Sequence, residues 1–282
     1  MDRHYDIAIA YRVCPSISKR PLAHADDKLA LVRLCLRSLL GALGSLRAKM
    51  IVILDGCPPA YEELFRASFA AADLTVINTD AIGNRATFAT QVKSLLAQEC
   101  SEVVYVAEDD YLYLPNALVD MVGFLRARTD ADFISAYDHI DLYTAPLHDH
   151  PSHICVHGGR HWRTANSTCL TFLTTKATLR RTRRCVLSFA RGNDDASLWL
   201  GMTKHQLGPG SFVRHALSGS GVFRIIIKAW LYCWPYILLG SRRRLWVPMP
   251  ALGTHLETTG LAPAVDWQEV IGRMMATMGR TG

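Results

Sequence analysis

The sequence has no cysteine spacing typical of a disulfide framework or a zinc site. Its eight cysteines are scattered along the chain, and none forms a C-x-x-C pair. Most of them lie in apolar runs, where cysteine behaves as a small hydrophobic residue. We therefore expect reduced thiols in a cytosolic protein.

Several other patterns are missing. There is no G-x-G-x-x-G or G-x-x-x-x-G-K-[ST] motif, so the fingerprints of dinucleotide-binding and P-loop proteins are absent. No internal repeat or low-complexity linker divides the 282 residues. The first residues, MDRHYDIAIAYRV, carry charges and an apolar run too short for a signal peptide. We expect one domain over residues 1–282, located in the cytoplasm.

An uninterrupted apolar run of the ~20 residues needed to span a bilayer is also missing. The segment GVFRIIIKAWLYCWPYILLG, residues 221–240, is interrupted by two basic residues and a proline, and it precedes Arg242–Arg244. It is either an amphipathic helix at the inner face of the plasma membrane or a core helix with a charged rim. The net charge of +6 is concentrated in residues 180–184 and 242–244, which suits anionic partners.

The first half of the chain alternates between apolar strands and amphipathic helices. Strands are predicted at 5–13, 50–56, 74–79, 102–109 and 132–139, and helices at 28–43, from Pro58-Pro59, at 84–99 and at 116–128. Continuous apolar strands between helices indicate an α/β fold, with a mostly parallel sheet flanked by helices. Beyond residue 140 we predict a polar, histidine-rich loop at 148–162, then a strand and a basic helix, and a helix near 192–208.

In an α/β sheet, ligands bind beyond the carboxyl ends of the strands. Three acids, Glu108, Asp109 and Asp110, stand at the end of the fourth strand. In an extended strand Glu108 and Asp110 would share one face, where their like charges repel unless a cation is present. Either a divalent metal ion meets them there or they form a solvated acidic turn.

The order of these segments resembles the nucleotide-sugar-binding domain of GT-A glycosyltransferases, in particular family 2-like enzymes. The segments that carry the resemblance are IAIAYRV, VILDGCP, GNRATFATQVKSLLA and VAEDDYLYLPNAL. It covers roughly residues 5–140 and implies a GT-A (Rossmann-like) fold. Residues 1–140 would bind the nucleotide sugar, and residues 141–282, with the amphipathic segment 221–244, would form an acceptor-side, membrane-proximal helical half.

The resemblance also assigns roles to single residues. Asp110 would be the direct ligand of Mn²⁺ or Mg²⁺, with Glu108 or Asp109 on the ribose or a metal-bound water. The residues that would contact the donor are Tyr11 or Arg12, Asp55, Asn84 and Arg85. The sequence departs from the family pattern in having Glu instead of Asp first in the acidic motif and Cys57 where serine commonly follows the second strand.

Two further residue sets belong to the implied reaction. GNDDASLW places carboxylates at the start of a helix, so Asp195, or else Asp194, would be the general base; alternatively Asn193 or Asp194 only caps that helix. His255, in a turn-rich loop, would be a further metal ligand. The five histidines from 148 to 161 lack the spacing of a zinc site.

We therefore expect an inverting, metal-dependent glycosyltransferase that moves a sugar from a nucleotide-diphosphate donor to a hydroxyl of a glycan or lipid-linked acceptor. Bacterial surface polysaccharide synthesis is the expected setting, and we expect no nucleic-acid partner. Two alternatives are a nucleotidyltransferase acting on a sugar phosphate and a non-catalytic, GT-A-like membrane-surface partner protein. Against the former, residues 12–28 contain no glycine.

Overall fold

A computed structural model of the chain describes residues 4–17, 20–217 and 221–278. The strands are β1 (Ile7–Val13), β2 (Ala48–Asp55), β3 (Leu74–Thr79), β4 (Val103–Glu108), β5 (Tyr111–Tyr113), β6 (Phe133–Ile134), β7 (Ile154–His157), β8 (Arg160–Ala165), β9 (Phe172–Thr175), β10 (Leu245–Met249) and β11 (Gly253–His255). The helices are α1 (Lys28–Leu43), α2 (Pro59–Ser68), α3 (Asn84–Ala97), α4 (Ala117–Ala127), α5 (Asp141–Thr144), α6 (Lys176–Val186), α7 (Asp195–Thr203), α8 (Pro209–Leu217), α9 (Gly221–Leu239) and α10 (Trp267–Met278).

Nine of the strands form one sheet, in the order β3-β2-β1-β4-β9-β6-β10-β8-β7. The four strands from β3 to β4 are parallel neighbours, and β9 and β8 run against the strands on either side of them. Because β6 and β10 are parallel to each other, seven of the nine strands share one direction. The predicted α/β fold with a mostly parallel sheet flanked by helices is confirmed.

The central strands are buried on both faces because their alternate residues enter two separate cores. On β1, Ile9 and Tyr11 belong to the core on the α1 side, whereas Ala8 and Ala10 belong to the core on the α3 side. The small alanines allow α3 to approach the sheet closely. There Gln91, which is fully buried, donates from Nε2 to the carbonyl oxygens of Ala10 and Ala107 at 2.8 and 2.7 Å.

Two predictions beyond residue 130 are wrong. The fifth strand ends at Ile134 instead of 139, because Ala136 turns away and accepts hydrogen bonds from the backbone at 252 and 253. The predicted histidine-rich loop contains the hairpin β7–β8, with Gly158 and Gly159 as its two-residue turn. Both glycines have positive φ, 60° and 74°, which is the backbone that tight hairpin turns require.

The segment 221–240 forms the helix α9, which is long and apolar enough to cross a membrane by length and composition. Its inner side, including Ile226 and Cys233, is buried in the core. That side lies against α7, where a Cβ on Gly201 would come within 2.7 Å of the Cys233 Cβ. Its outer side is exposed, so burial in the core accounts for only one side of the helix.

Candidate active site

The three acids lie at the carboxyl end of β4, where the chain turns towards β5, and each has a different partner. Glu108, the last residue of β4, forms an ion pair with Arg12 of the adjacent strand β1. Its second oxygen accepts a hydrogen bond from Thr171 Oγ1 at 2.9 Å. Arg12 also bonds the backbone carbonyl of Asn84 at 2.8 Å and the side-chain oxygen of that residue. Glu108, Arg12 and Asn84 thus form one polar group at the edge of the sheet.

Asp109 points in another direction and is buried. Its Oδ1 accepts from Lys28 Nζ at 2.8 Å, and its Oδ2 accepts from the Cys14 N–H at 3.1 Å. Burial raises the pKa of Asp109 to about 6, against the opposing effect of the Lys28 charge. The carboxyl is therefore ionised at neutral pH and held by a lysine that the sequence analysis did not single out.

Asp110 and His255, the two predicted metal ligands, are in contact. The antiparallel pairing of β11 with β5 sets His255 opposite Tyr111, so the His255 Nε2 donates to Asp110 Oδ2 at 2.9 Å. Burial alone would raise the pKa of Asp110, but the hydrogen bond and charge of His255, together with Lys28 and Arg12, bring it below its ordinary value.

The donor set at Asp110 fits a divalent cation. In the described part of the chain, Asp110 Oδ1 is buried and has no hydrogen-bond partner, and the Glu257 carboxylate lies 3.7 Å from His255 Nδ1. Carboxylate and imidazole ligands suit Mn²⁺, and Mg²⁺ is commonly held by one or two carboxylates plus substrate phosphates. Among the described residues, no group of three or more His, Cys, Asp or Glu side chains is arranged to hold a metal ion. The set is suited to a cation that the substrate helps to bind.

The residues predicted to contact the donor are divided between the cleft and the interior. Consecutive side chains of β1 point to opposite faces of the sheet. Of Tyr11 and Arg12, only Arg12 therefore faces the cleft at the carboxyl ends of the strands. Tyr11 is fully buried, with its ring 5.5 Å from that of Phe65. Tyr11 is therefore no surface for a ligand, contrary to the prediction that included it. Arg85 is exposed, and its Nη1 lies 3.6 Å from the position that a Cβ on Gly192 would take.

Asp55 is buried and its carboxylate is already occupied. It accepts from Thr79 Oγ1 at 2.7 Å and from the backbone N–H groups of Ile82 and Gly83 at 2.7 and 2.8 Å. Asp55 therefore holds the loop after β3 in place. It also lines a cleft.

The two candidate bases stand at the start of α7 and differ in their contacts. Asp194 forms an ion pair with Lys228 of α9, whose Nζ lies 2.9 Å from both carboxylate oxygens. Asp194 is at the N-cap position, but its side chain makes no capping hydrogen bond to the described backbone. Asp195 is the first helical residue, and its Oδ1 accepts from the Ala196 N–H at 2.7 Å. The simple capping alternative therefore does not explain Asp194.

Two clefts meet at the acidic turn. The small cleft, of about 430 Å³, is lined by Lys28, Asp55, Gly56 and Asp109. The large cleft, of about 660 Å³, is lined on one side by Asp110, His255 and Glu257 and on the other by Asp194 and Asp195. Residues common to both clefts are Arg12, Asn84, Glu108 and Asp110.

The sequence analysis missed several residues that line these clefts or pair with residues in them. In the sequence, Lys28 was visible only as a charge at the start of a helix. Lys228 was visible only as a charge that interrupts an apolar run. His139 also lines the large cleft. Its burial, with His148 beside it, lowers its pKa to about 4. His148 lies next to it, with ring centroids 5.2 Å apart, whereas the ring of His157 packs against Phe124.

No protein-family model matches the chain, and a comparison with curated proteins gives no match. Solved structures similar to the chain include an active-site mutant of LgtC, with 10% sequence identity and a TM-score of 0.49, covering 96% of this chain and 95% of that one. A CMP:2-keto-3-deoxy-manno-octonic acid synthetase complexed with CTP has 11% identity and a TM-score of 0.43, covering 98% and 99%. The mannosyltransferase PcManGT from Pyrobaculum calidifontis, in complex with GDP-Man and Mn²⁺, has 11% identity and a TM-score of 0.40, covering 84% and 74%. These likenesses concern the fold and identify no family.

Proposed function

We propose that the protein is an inverting, metal-dependent glycosyltransferase with a GT-A-like fold. It moves a sugar from a nucleotide-diphosphate donor to a hydroxyl group of a glycan or lipid-linked acceptor, in surface polysaccharide synthesis. The observation that carries the proposal is the large cleft, which is lined by both the Asp110–His255 pair and the carboxylates at the start of α7. Such a transfer needs a cationic group for the leaving diphosphate and a base for the acceptor hydroxyl.

The donor lies across the acidic turn. Its nucleoside occupies the small cleft, against the loop that Asp55 holds in place. Its diphosphate reaches Asp110 and His255, which would hold Mn²⁺ or Mg²⁺. When bound, that ion supplies positive charge to the departing diphosphate. Arg12, which lines both clefts, adds a fixed cation beside it.

The acceptor hydroxyl lies in the large cleft beside Asp195. The carboxylate of Asp195 takes the hydroxyl proton while the acceptor oxygen bonds to the anomeric carbon. At the same time the bond from that carbon to the diphosphate oxygen breaks, and its electron pair leaves with the diphosphate. Attack from the side opposite the leaving group inverts the anomeric carbon. Asp194 is less suited to this role because both of its carboxylate oxygens are engaged by the Lys228 ammonium group.

The test is the release of nucleoside diphosphate from a panel of nucleotide sugars, with Mn²⁺ or Mg²⁺ and with a chelator. We expect metal-dependent release that falls by about 10²-fold or more in Asp195→Asn, the usual contribution of a general base, and also falls in Asp110→Asn. The control is Asp120→Asn, since Asp120 is exposed on α4 and should keep full activity.

Two results would contradict the proposal. One is that no donor releases diphosphate in the presence of either metal. The other is release of pyrophosphate from a nucleoside triphosphate and a sugar phosphate, which would favour the nucleotidyltransferase alternative.

A further inference from the structure

The exposed large hydrophobic side chains are concentrated on two consecutive helices. Eight of the fourteen that are exposed in the described residues lie on α8 and α9. On α9 they are Ile227, Leu231, Trp234 and Leu238, followed by Leu239 at the end of the helix. The first four are spaced by four, three and four residues, so they form one stripe along the helix. We call this stripe, with the exposed Phe212 and Val213 of α8, the outer apolar face.

The outer apolar face is unusual because the opposite side of α9 is apolar as well. Ile226 and Cys233 on that side are fully buried against the rest of the fold, whereas Leu231 is 67% exposed and Trp234 is 54% exposed. A helix on the surface of a soluble domain normally turns polar residues outwards. Burial in the fold therefore explains only one side of α9.

The segment of the chain that carries this face contains basic residues and no acidic ones. From Ala196 to Leu256 there is no Asp or Glu, while seven lysines and arginines occur in the same 61 residues. Arg224 is exposed on α9, and Arg242 is exposed just beyond its end. Arg242 bonds the Thr203 carbonyl and the His205 ring, and no ion pair with a carboxylate is found for it in the described residues.

A small basic cleft lies at the end of α9. Its volume is about 190 Å³, and its lining includes His153, His205 and Arg242–Arg244. Arg243 and Arg244 form ion pairs with Asp132 and Asp130. Arg242, by contrast, contacts the His205 ring and a backbone carbonyl and has no carboxylate partner among the described residues. An apolar face bordered by unbalanced positive charge is complementary to a bilayer that carries anionic headgroups.

We infer that the outer apolar face docks in the plane of a membrane containing anionic phospholipids. A second copy of the chain is a poorer occupant, because pairing two such faces would bring like charges together. The helix does not span the bilayer. Its inner side packs on α7, and Lys228 reaches back to Asp194 in the large cleft, so α9 stays with the fold along its ~28 Å length. The inference does not depend on the proposed reaction.

Sedimentation with vesicles tests the docking. Wild-type protein should bind vesicles of phosphatidylcholine mixed with phosphatidylglycerol and bind pure phosphatidylcholine much more weakly. Leu231→Gln with Trp234→Gln should lower the partition coefficient by about tenfold or more, and Arg224→Gln with Arg242→Gln by about fivefold per arginine. The control is Ile154→Gln with Val156→Gln, which removes exposed apolar side chains from β7 and should leave binding unchanged. Circular dichroism melts verify that each variant folds.

Four outcomes would overturn the inference. They are no binding to anionic vesicles, equal binding to neutral ones, and resistance of the bound protein to an alkaline carbonate wash, which would indicate a spanning helix. The fourth is that light scattering shows a dimer, that Leu231→Gln with Trp234→Gln converts it to monomers, and that vesicle binding is absent. This result would make the outer apolar face an interface between two copies of the chain.

Discussion

The buried ion pair between Lys28 and Asp109 allows a quantitative prediction about stability. Their side chains are 8% and 9% exposed, and Lys28 Nζ lies 2.8 Å from Asp109 Oδ1. The substitution Lys28→Met keeps the aliphatic length of the side chain but removes the charge. Asp109 is then left buried, and among the described residues it keeps only the Cys14 N–H as a partner.

The cost has an upper limit, because an unpaired carboxyl can always take up a proton. At 1.36 kcal/mol per pH unit, protonating Asp109 in the fold, where its pKa is about 6, costs about 2 kcal/mol at pH 7.5. This limit lies below the cost of about 3–5 kcal/mol that breaking a buried pair from one side usually has. We therefore expect Lys28→Met to lower the free energy of unfolding by about 2 kcal/mol at pH 7.5.

The reciprocal change completes a double-mutant cycle. Asp109→Asn retains an acceptor for the Cys14 N–H but leaves the Lys28 ammonium without its counter-charge. Burial would lower the pKa of Lys28, but the Asp109 charge raises it above its ordinary value, so Asp109→Asn should also lower the free energy of unfolding. In the double variant neither charge remains, so its loss should be smaller than the sum of the two single losses by about 1 kcal/mol or more.

Urea unfolding of the four proteins at pH 7.5 measures these free energies. Both transitions, by fluorescence and by far-ultraviolet circular dichroism, should coincide if unfolding is two-state. Additive losses, or a loss below about 1 kcal/mol for Lys28→Met, would show that the pair is solvated and that the reasoning is wrong.

Three further predictions concern His139, Gly201 and Asp55. The pKa of His139 is about 4 in the fold and 6.5 in the unfolded chain, so the unfolded state binds the proton first as the pH falls. The free energy of unfolding should therefore drop by about 2 kcal/mol between pH 7 and pH 5. In urea titrations, His139→Gln should remove that part of the drop. Gly201→Ala places a Cβ 2.7 Å from that of Cys233 and should cost about 1–3 kcal/mol in a thermal melt, whereas Gly41→Ala, with nothing within 4 Å, should cost nothing. Asp55→Ala removes the buried carboxylate that accepts from the N–H groups of the exposed residues Ile82 and Gly83. It should cost about 1–3 kcal/mol in urea, and an unchanged midpoint would contradict this role.

Elements defined by local patterns were predictable from the sequence. The bounds predicted for α1, 28–43, and for β3, 74–79, agree with the structure. In α1 the apolar period and the side chain of Asp27, which accepts from the Ala30 N–H, both mark the helix locally. The hairpin β7–β8 was missed because β7 has only four residues, and its apolar run Ile154–Val156 is too short to mark a strand inside a histidine-rich segment.

The candidate site was predictable only in part, because its contacts join distant segments. Asp110 and His255 are separated by 145 residues and meet only through the pairing of β5 with β11, a strand that the sequence analysis interpreted as a turn-rich loop. The salt bridge from Lys228 to Asp194 depends on the packing of α9 against α7. Neither arrangement leaves a local signal in the residues that form it.

The acidic turn shows why one motif can serve stability and binding together. Asp109 is neutralised inside the fold by Lys28, and Glu108 is neutralised at the cleft edge by Arg12. With these two charges balanced, the third carboxylate can remain at the mouth of both clefts without the full repulsion of its neighbours. Its Oδ1 is the atom of the triplet that is buried and lacks a partner in the described residues. A cation shared with a substrate would give that oxygen a partner. Among the three acids, Asp110 is therefore the one whose contacts leave room for a metal ion.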